Sequence, residues 1–143
     1  MNSMFKPAID FVLRWEGDKS EHPSDPGGRT RMGISSKYYP VQVEAMWNMS
    51  REDARKVAEG IYRKDYWDSI GGDSLPVGLD LVAFDTAVNC GVGKANSWMK
   101  LSSNPVDIIF LRLSHYAKLP NFNVFGRGWV NRVADLYKEV SAL

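Results

Sequence analysis

Two carboxylates stand near the start of the chain, Glu16 and Asp25, with eight residues between them, and a hydroxyl follows at Thr30. They lie in an irregular stretch that reads Trp15-Glu16-Gly17-Asp18, then Pro23-Ser24-Asp25-Pro26-Gly27-Gly28-Arg29-Thr30, then Met32-Gly33-Ile34-Ser35. Two carboxyls flanking one bond, one protonated and one ionised, are the minimum apparatus for cleaving a glycosidic linkage. In that scheme Glu16 gives a proton to the leaving oxygen. Asp25 activates water or stabilises positive charge at the anomeric carbon, and Thr30 orients the water. An inverting reaction needs roughly 6.5–9.5 Å between the carboxyls and a retaining one about 5–5.5 Å, a distance that loop geometry sets and sequence spacing does not. Each residue also has a plain structural reading: Glu16 as a solvated helix end, Asp25 as the turn former of Asp-Pro-Gly-Gly, Thr30 as a strand residue.

The elements that must hold these groups follow from periodicity. Phe5, Ala8, Ile9, Val12, Leu13 and Trp15 predict a helix over residues 4–16, with Pro7 in its first turn and Gly17 as its stop. Glu16 therefore falls at a helix C-terminus, whose negative end disfavours a charged carboxylate, and an apolar neighbour such as Trp15 would act in the same sense. A carboxyl that keeps its proton is what a general acid requires. Residues 17–34 read as loop with a small hairpin around Arg29–Ile34, and Ser35-Ser36 as the cap of a short helix ending before Pro40.

Ser50 and Asp53 resemble a capping box, opening a helix to about Trp67 with Ala54, Val57, Ala58, Ile61 and Tyr62 on one face. Residues 77–90 are apolar nearly all round, which predicts a central buried helix broken by Asp85, Thr86 and Asn89. A buried Asp needs partners, and Asp85 reads as a structural anchor. Asn104-Pro105 opens a further helix with a Val106, Ile109, Phe110 and Leu113 stripe. After a loop over Lys118–Gly128, a last helix carries Trp129, Val133, Leu136, Tyr137 and Val140. The expected fold is α+β, predominantly α-helical, with a small loop and hairpin lobe packed on a helical lobe.

At 143 residues the chain is one domain, long enough to bury a core unaided. The net charge of +1 calls for no nucleic acid and no acidic lipid surface. Cys90 is the only cysteine, so no intramolecular disulfide can form, which fits folding in a reducing compartment, and its apolar surroundings read as those of an inert thiol. The N-terminus lacks the pattern of a signal peptide, and no run approaches the ~20 apolar residues of a membrane span. His22 and His115 stand far apart with no ligand-spaced partners, so neither metal nor cofactor is expected. Tyr66 and Trp67, next to the Gly71-Gly72 turn, could stack on sugars or pack in the core. Arg29 and Asn89 are hydrogen-bonding candidates for a substrate.

A resemblance joins these residues. Trp15-Glu16-Gly17, His22-Pro23, Asp25-Pro26-Gly27-Gly28, Thr30 and Gly33-Ile34 look like the N-terminal signature of glycoside hydrolase family 108. The likeness continues at Ile61-Tyr62-Arg63, Tyr66-Trp67, Asp73, Leu75-Pro76, Phe84-Asp85, Ala87-Val88-Asn89 and Gly91, and again at Phe125-Gly126-Arg127-Gly128-Trp129 and Asn131-Arg132-Val133. It implies a lysozyme-like fold and an N-acetylmuramidase, typically a phage endolysin or prophage-derived lysin, that cuts the β-1,4 bond between N-acetylmuramic acid and N-acetylglucosamine. The family's catalytic glutamate maps onto Glu16, and the pattern Glu16, Asp25, Thr30 is also similar to the triad of phage T4-type lysozymes.

The chain departs from the family at Glu16-Gly17-Asp18-Lys19, where relatives read Glu-Gly-Gly-Tyr. Trp98 to Pro105 is short where relatives carry a peptidoglycan-binding segment. The expected partner is bacterial peptidoglycan, met by a monomer that waits in the host cytoplasm until a membrane lesion opens. Two other readings compete: a lytic transglycosylase acting on the same bond, and a lysozyme fold that only binds peptidoglycan or a protein.

Overall fold

The computed structural model describes residues 3–21 and 28–143. Helix α1 (Phe5–Glu16) buries Ala8, Ile9, Phe11 and Val12, and the Gly17 N–H closes it on the Leu13 carbonyl with a φ of +74°. Positive φ is costly for any residue with a Cβ, so the helix ends there and Glu16 is its last member.

A three-stranded antiparallel sheet follows: β1 (Lys19–Glu21), β2 (Arg29–Arg31) and β3 (Ile34–Ser35), in that order. The hairpin expected around Arg29–Ile34 is present, and β1 adds a strand that the short polar run Lys19-Ser20-Glu21 does not announce. Arg31 pairs with Ile34, leaving the two-residue turn Met32-Gly33 with φ values of +52° and +80°. Positive φ at both turn positions suits the right-handed twist of the flanking strands. At Met32 this backbone costs roughly 1–2 kcal/mol. The residue is buried, and its carbonyl accepts a 2.8 Å hydrogen bond from the Tyr62 hydroxyl.

Pro40 begins helix α2 (Pro40–Met46) and does not end one, which corrects the expected short helix at Ser35-Ser36. Proline fits a first helical position because its missing N–H would be unpaired there in any case. Helix α3 (Arg51–Tyr62) starts where expected, with the Ser50 hydroxyl accepting from the Asp53 N–H at 3.1 Å. It runs on through a π-helical turn at Arg63–Trp67 and short 3₁₀ turns at Asp68–Ile70 and Gly72–Ser74.

Helix α4 (Leu79–Cys90) is the central element, buried from Leu79 to Ala87 and packed against α1, the π turn and the three helices that follow it. Those are α5 (Val92–Leu101), α6 (Pro105–Ala117) and α7 (Phe122–Ser141). Asn104 caps α6 by accepting from the Val106 N–H at 2.9 Å. Its buried stripe is Ile108, Ile109, Arg112 and Tyr116, whereas Phe110 is exposed, so the expected stripe is turned by part of a helical step. Helix α7 begins at Phe122, well inside the stretch expected to be loop. It presents Val133 and Leu136 to the core and leaves Tyr137 exposed. Among the described residues no helix is long and apolar enough to cross a membrane.

Candidate active site

Glu16 ends α1, and its side chain meets the β2–β3 turn on one side and α7 on the other. Gly33 lies against its Cβ and Cγ, and the Tyr62 hydroxyl lies against the same glycine. Trp15 does not form the expected apolar wall beside it. Its indole turns to Asp135 and donates at 2.8 Å. Adjacent residues on a helix do not face one another, and that is why the wall is absent. The group that does meet Glu16 comes from the far end of the chain: Arg132 Nη1 donates to Oε1 at 3.0 Å. The Glu16 side chain is 23% exposed and that of Arg132 only 7%.

Arg132 opens a buried ladder of charge. Its Nη2 and Nε donate to Asp85 Oδ1 at 2.7 and 3.1 Å, and Arg112 Nη1 holds Asp85 Oδ2 at 2.8 Å. Arg112 also donates to Thr86 at 3.2 Å and, through Nε, to the Tyr116 hydroxyl at 2.7 Å. Tyr116 in turn donates to Asn89 Oδ1. Asp85 and Arg112 are wholly buried. Removing such ions from water costs several kcal/mol each, a cost repaid only by close pairing and satisfied hydrogen bonds. The ladder meets the pairing condition, with Asp85 held between two guanidiniums and Arg132 between two carboxyl groups, although Arg112 Nη2 is buried without a hydrogen-bond partner among the described residues. Burial opposes the ionisation of Asp85, but Arg112 and Arg132 outweigh it and hold the carboxyl below its ordinary range. Burial likewise works against the Arg132 cation, and Asp85 and then Glu16 reverse it, so the guanidinium stays charged. Asp85 is the structural anchor expected of it.

The other candidates are placed as follows. Asp25 lies outside the described residues. Thr30 is the middle residue of β2, half-buried, paired across the sheet with Ser20 and Ser35. Arg29 is committed to α2, where it donates to Glu44 at 2.5 Å and lies 4.4 Å from the Trp47 ring. Tyr66 is half-buried with its ring 5.6 Å from that of Tyr62. Burial pushes its phenol up, and the Glu16 charge adds to the same effect.

Trp67 is fully buried, edge-on to Phe5 and Phe84, with its indole N–H on Asp73 at 2.9 Å. It is a core residue and not a sugar platform, because the π turn rotates it inward while Tyr66 stays at the margin. Asn89 closes the far end of the ladder, its carbonyl oxygen already accepting from Tyr116. Cys90 is half-buried beside them, and burial pushes its thiol up, as expected of an inert sulfur. Asp18, the residue that departs from the family's Glu-Gly-Gly-Tyr, spends its charge on Arg31 at 2.8 Å and Arg51 at 3.5 Å.

Sequence reasoning missed Arg132, Arg112, Tyr62 and Gly33 as parts of this site. A signal was present for the arginines. Each interrupts an apolar helical stripe, Arg132 between Trp129, Val133 and Leu136, Arg112 between Ile108, Ile109 and Tyr116. A buried Asp85 in need of cations is their natural complement.

The sequence pattern of glycosyl hydrolase 108 matches residues 9–91, more than half of the chain and including Glu16, Gly33, Tyr62 and Asp85. The chain belongs to glycosyl hydrolase family 108. Among solved structures, SagA of Brucella abortus is similar, with 27% sequence identity and a TM-score of 0.76 over 96% of this chain and 94% of that one. No curated protein sequence matches. Family 108 membership makes this a glycoside hydrolase of the general peptidoglycan-degrading, muramidase kind, on a lysozyme-like fold. Both arginines of the ladder, Arg112 and Arg132, come from beyond the part of the chain that the family 108 pattern matches.

Proposed function

We propose that this protein is an N-acetylmuramidase that hydrolyses the β-1,4 bond between N-acetylmuramic acid and N-acetylglucosamine, with Glu16 as general acid. The observation that carries this reading is the convergence on one carboxyl. The hairpin turn, α3 and α7 bring Gly33, Tyr62 and Arg132 together around Glu16, which keeps 23% side-chain exposure through which to meet a sugar oxygen. When Glu16 protonates the leaving oxygen, the carboxylate it becomes forms 3.0 Å from a fixed guanidinium. A preorganised guanidinium there stabilises the carboxylate left once the proton has gone. The same carboxylate is then placed to take a proton from an incoming water.

Asp25 is the proposed second carboxylate, acting at the anomeric carbon where Glu16 deprotonates the water, or itself the base on that water in an inverting course, and Thr30 on β2 is the proposed water-orienting hydroxyl. Tyr66, at the margin of the site, is the proposed sugar contact. The setting we propose is that of an endolysin, a monomer held in the cytoplasm of a phage-infected bacterium until a membrane lesion gives it access to the wall.

The test is Glu16→Gln beside the parent protein on purified peptidoglycan, with muropeptides read by mass spectrometry. The parent is expected to release products with reducing ends, each one water heavier than the anhydro-sugar of a transglycosylase. Glu16→Gln is expected to fold and bind walls but to release product only at a residual rate, about 10²–10⁴-fold below the parent. A variant that lyses walls at the parent rate would exclude Glu16 as the acid, and anhydro products would replace hydrolysis by transglycosylation.

A further inference from the structure

We infer that Arg132 is a positioning residue for the reaction, and that the buried Asp85–Arg112 pair exists to aim it. This rests on the reading of Glu16 as the general acid. Arg132 divides its guanidinium between two carboxylates. Nη2 and Nε are fastened to Asp85 at 2.7 and 3.1 Å, and Nη1 alone faces Glu16 at 3.0 Å. A guanidinium is planar, so a grip on two of its nitrogens fixes the direction of the third. Asp85 cannot swing to follow Glu16, because its other oxygen is held by Arg112 at 2.8 Å. Arg112 is itself fastened to Thr86 and to Tyr116.

The chain of contacts thus runs from α6 through α4 to α7 and ends on the one carboxyl that has to be in register with a sugar oxygen. Arg132 is placed where it both answers the buried Asp85 charge and fixes the orientation of Glu16, accepting the charge left behind by its proton. Its source is also informative. Arg132 and Arg112 lie in the C-terminal part of the chain beyond residues 9–91, so that part completes the catalytic centre and is more than a scaffold.

The experiment compares Arg132→Met, Arg132→Lys, Glu16→Gln and the double variant Glu16→Gln/Arg132→Met on soluble peptidoglycan fragments, with folding checked by circular dichroism and melting. Arg132→Met is expected to lose about 10²-fold in kcat with KM changed by no more than about threefold, because misplacing a reacting group costs rate more than binding. Arg132→Lys keeps the charge but not the two-nitrogen grip, and should recover only part of that loss, to within about tenfold of the parent. On the Glu16→Gln background, adding Arg132→Met should change the residual rate by less than about threefold, since residues acting as a unit are not additive.

A parent-like kcat per folded molecule in Arg132→Met, with only the melting temperature lowered, would overturn the inference. So would additive losses in the double variant. Should Arg132→Met fail to fold, Arg132→Lys decides alone: a parent-like kcat overturns the inference and a partial loss supports it. Parent-like activity in Glu16→Gln would instead remove the reading of Glu16 and this inference with it.

Discussion

Gly33 lies so close to Glu16 that a Cβ on it would stand 2.8 Å from the glutamate's Cγ and 2.9 Å from its Cβ. The same added atom would run into the Tyr62 hydroxyl, and Gly33 has a φ of +80°. A turn residue is therefore also the wall against which the Glu16 side chain rests.

Gly33→Ala is expected to destabilise the protein by about 1–3 kcal/mol through left-handed backbone strain and overpacking. It should also lower kcat by more than the folded fraction explains, because Glu16 must move to make room. Urea melts give the first quantity, and rates corrected for folded fraction give the second. A variant with parent-like kcat per folded molecule would show that the wall has no bearing on the reaction.

Asp85→Asn is expected to cost about 3–5 kcal/mol at neutral pH, because Arg112 and Arg132 would then share a buried space without their common anion. The sign in acid follows from the depressed titration of the native carboxyl. Its contribution is complete above the ordinary value of 3.8 and is lost as pH falls through the lower value it has in the folded protein. The parent should accordingly lose stability below about pH 4 along a steeper slope than Asp85→Asn. Denaturant titrations at pH 7 and at acid pH measure both, and equal slopes would mean that Asp85 is not held ionised by the two arginines.

Tyr66 and Trp67 are adjacent in sequence and should separate cleanly by experiment. Trp67→Ala is expected to lose about 3–5 kcal/mol of stability, as large aromatic truncations in a core do. Tyr66→Ala should cost less stability but raise KM on peptidoglycan fragments, because the half-buried ring is the proposed sugar contact. Parent-like KM in a folded Tyr66→Ala would exclude that contact.

Much of the helical framework is legible in the residues alone. Gly17 closes α1, Ser50 and Asn104 cap α3 and α6, and the apolar run before Cys90 is the central helix. These signals are local: a cap, a stop or a periodic face acts within a few residues of itself. Where local signals mix, reading fails. Val92–Leu101 carries Gly93, Lys94, Asn96 and Ser97 among its apolar residues, so α5 leaves little periodic trace. Phe122–Gly128 contains Gly126 and Gly128 and reads as loop. It is nevertheless helical, because the rings of Phe122, Phe125 and Trp129 pack on one another along α7.

The sequence by itself determined the place of Glu16 at a helix end, since that carboxyl and its stop at Gly17 are neighbours. What surrounds that carboxyl was decided only by tertiary structure. Arg132 reaches it across 116 positions of chain, and Asp85 and Arg112 meet across 27. No local preference encodes such encounters. They arise because α6 and α7 can bury their apolar stripes on α4 in a way that also brings each buried cation to an anion, and burial without that pairing would cost more than the packing returns.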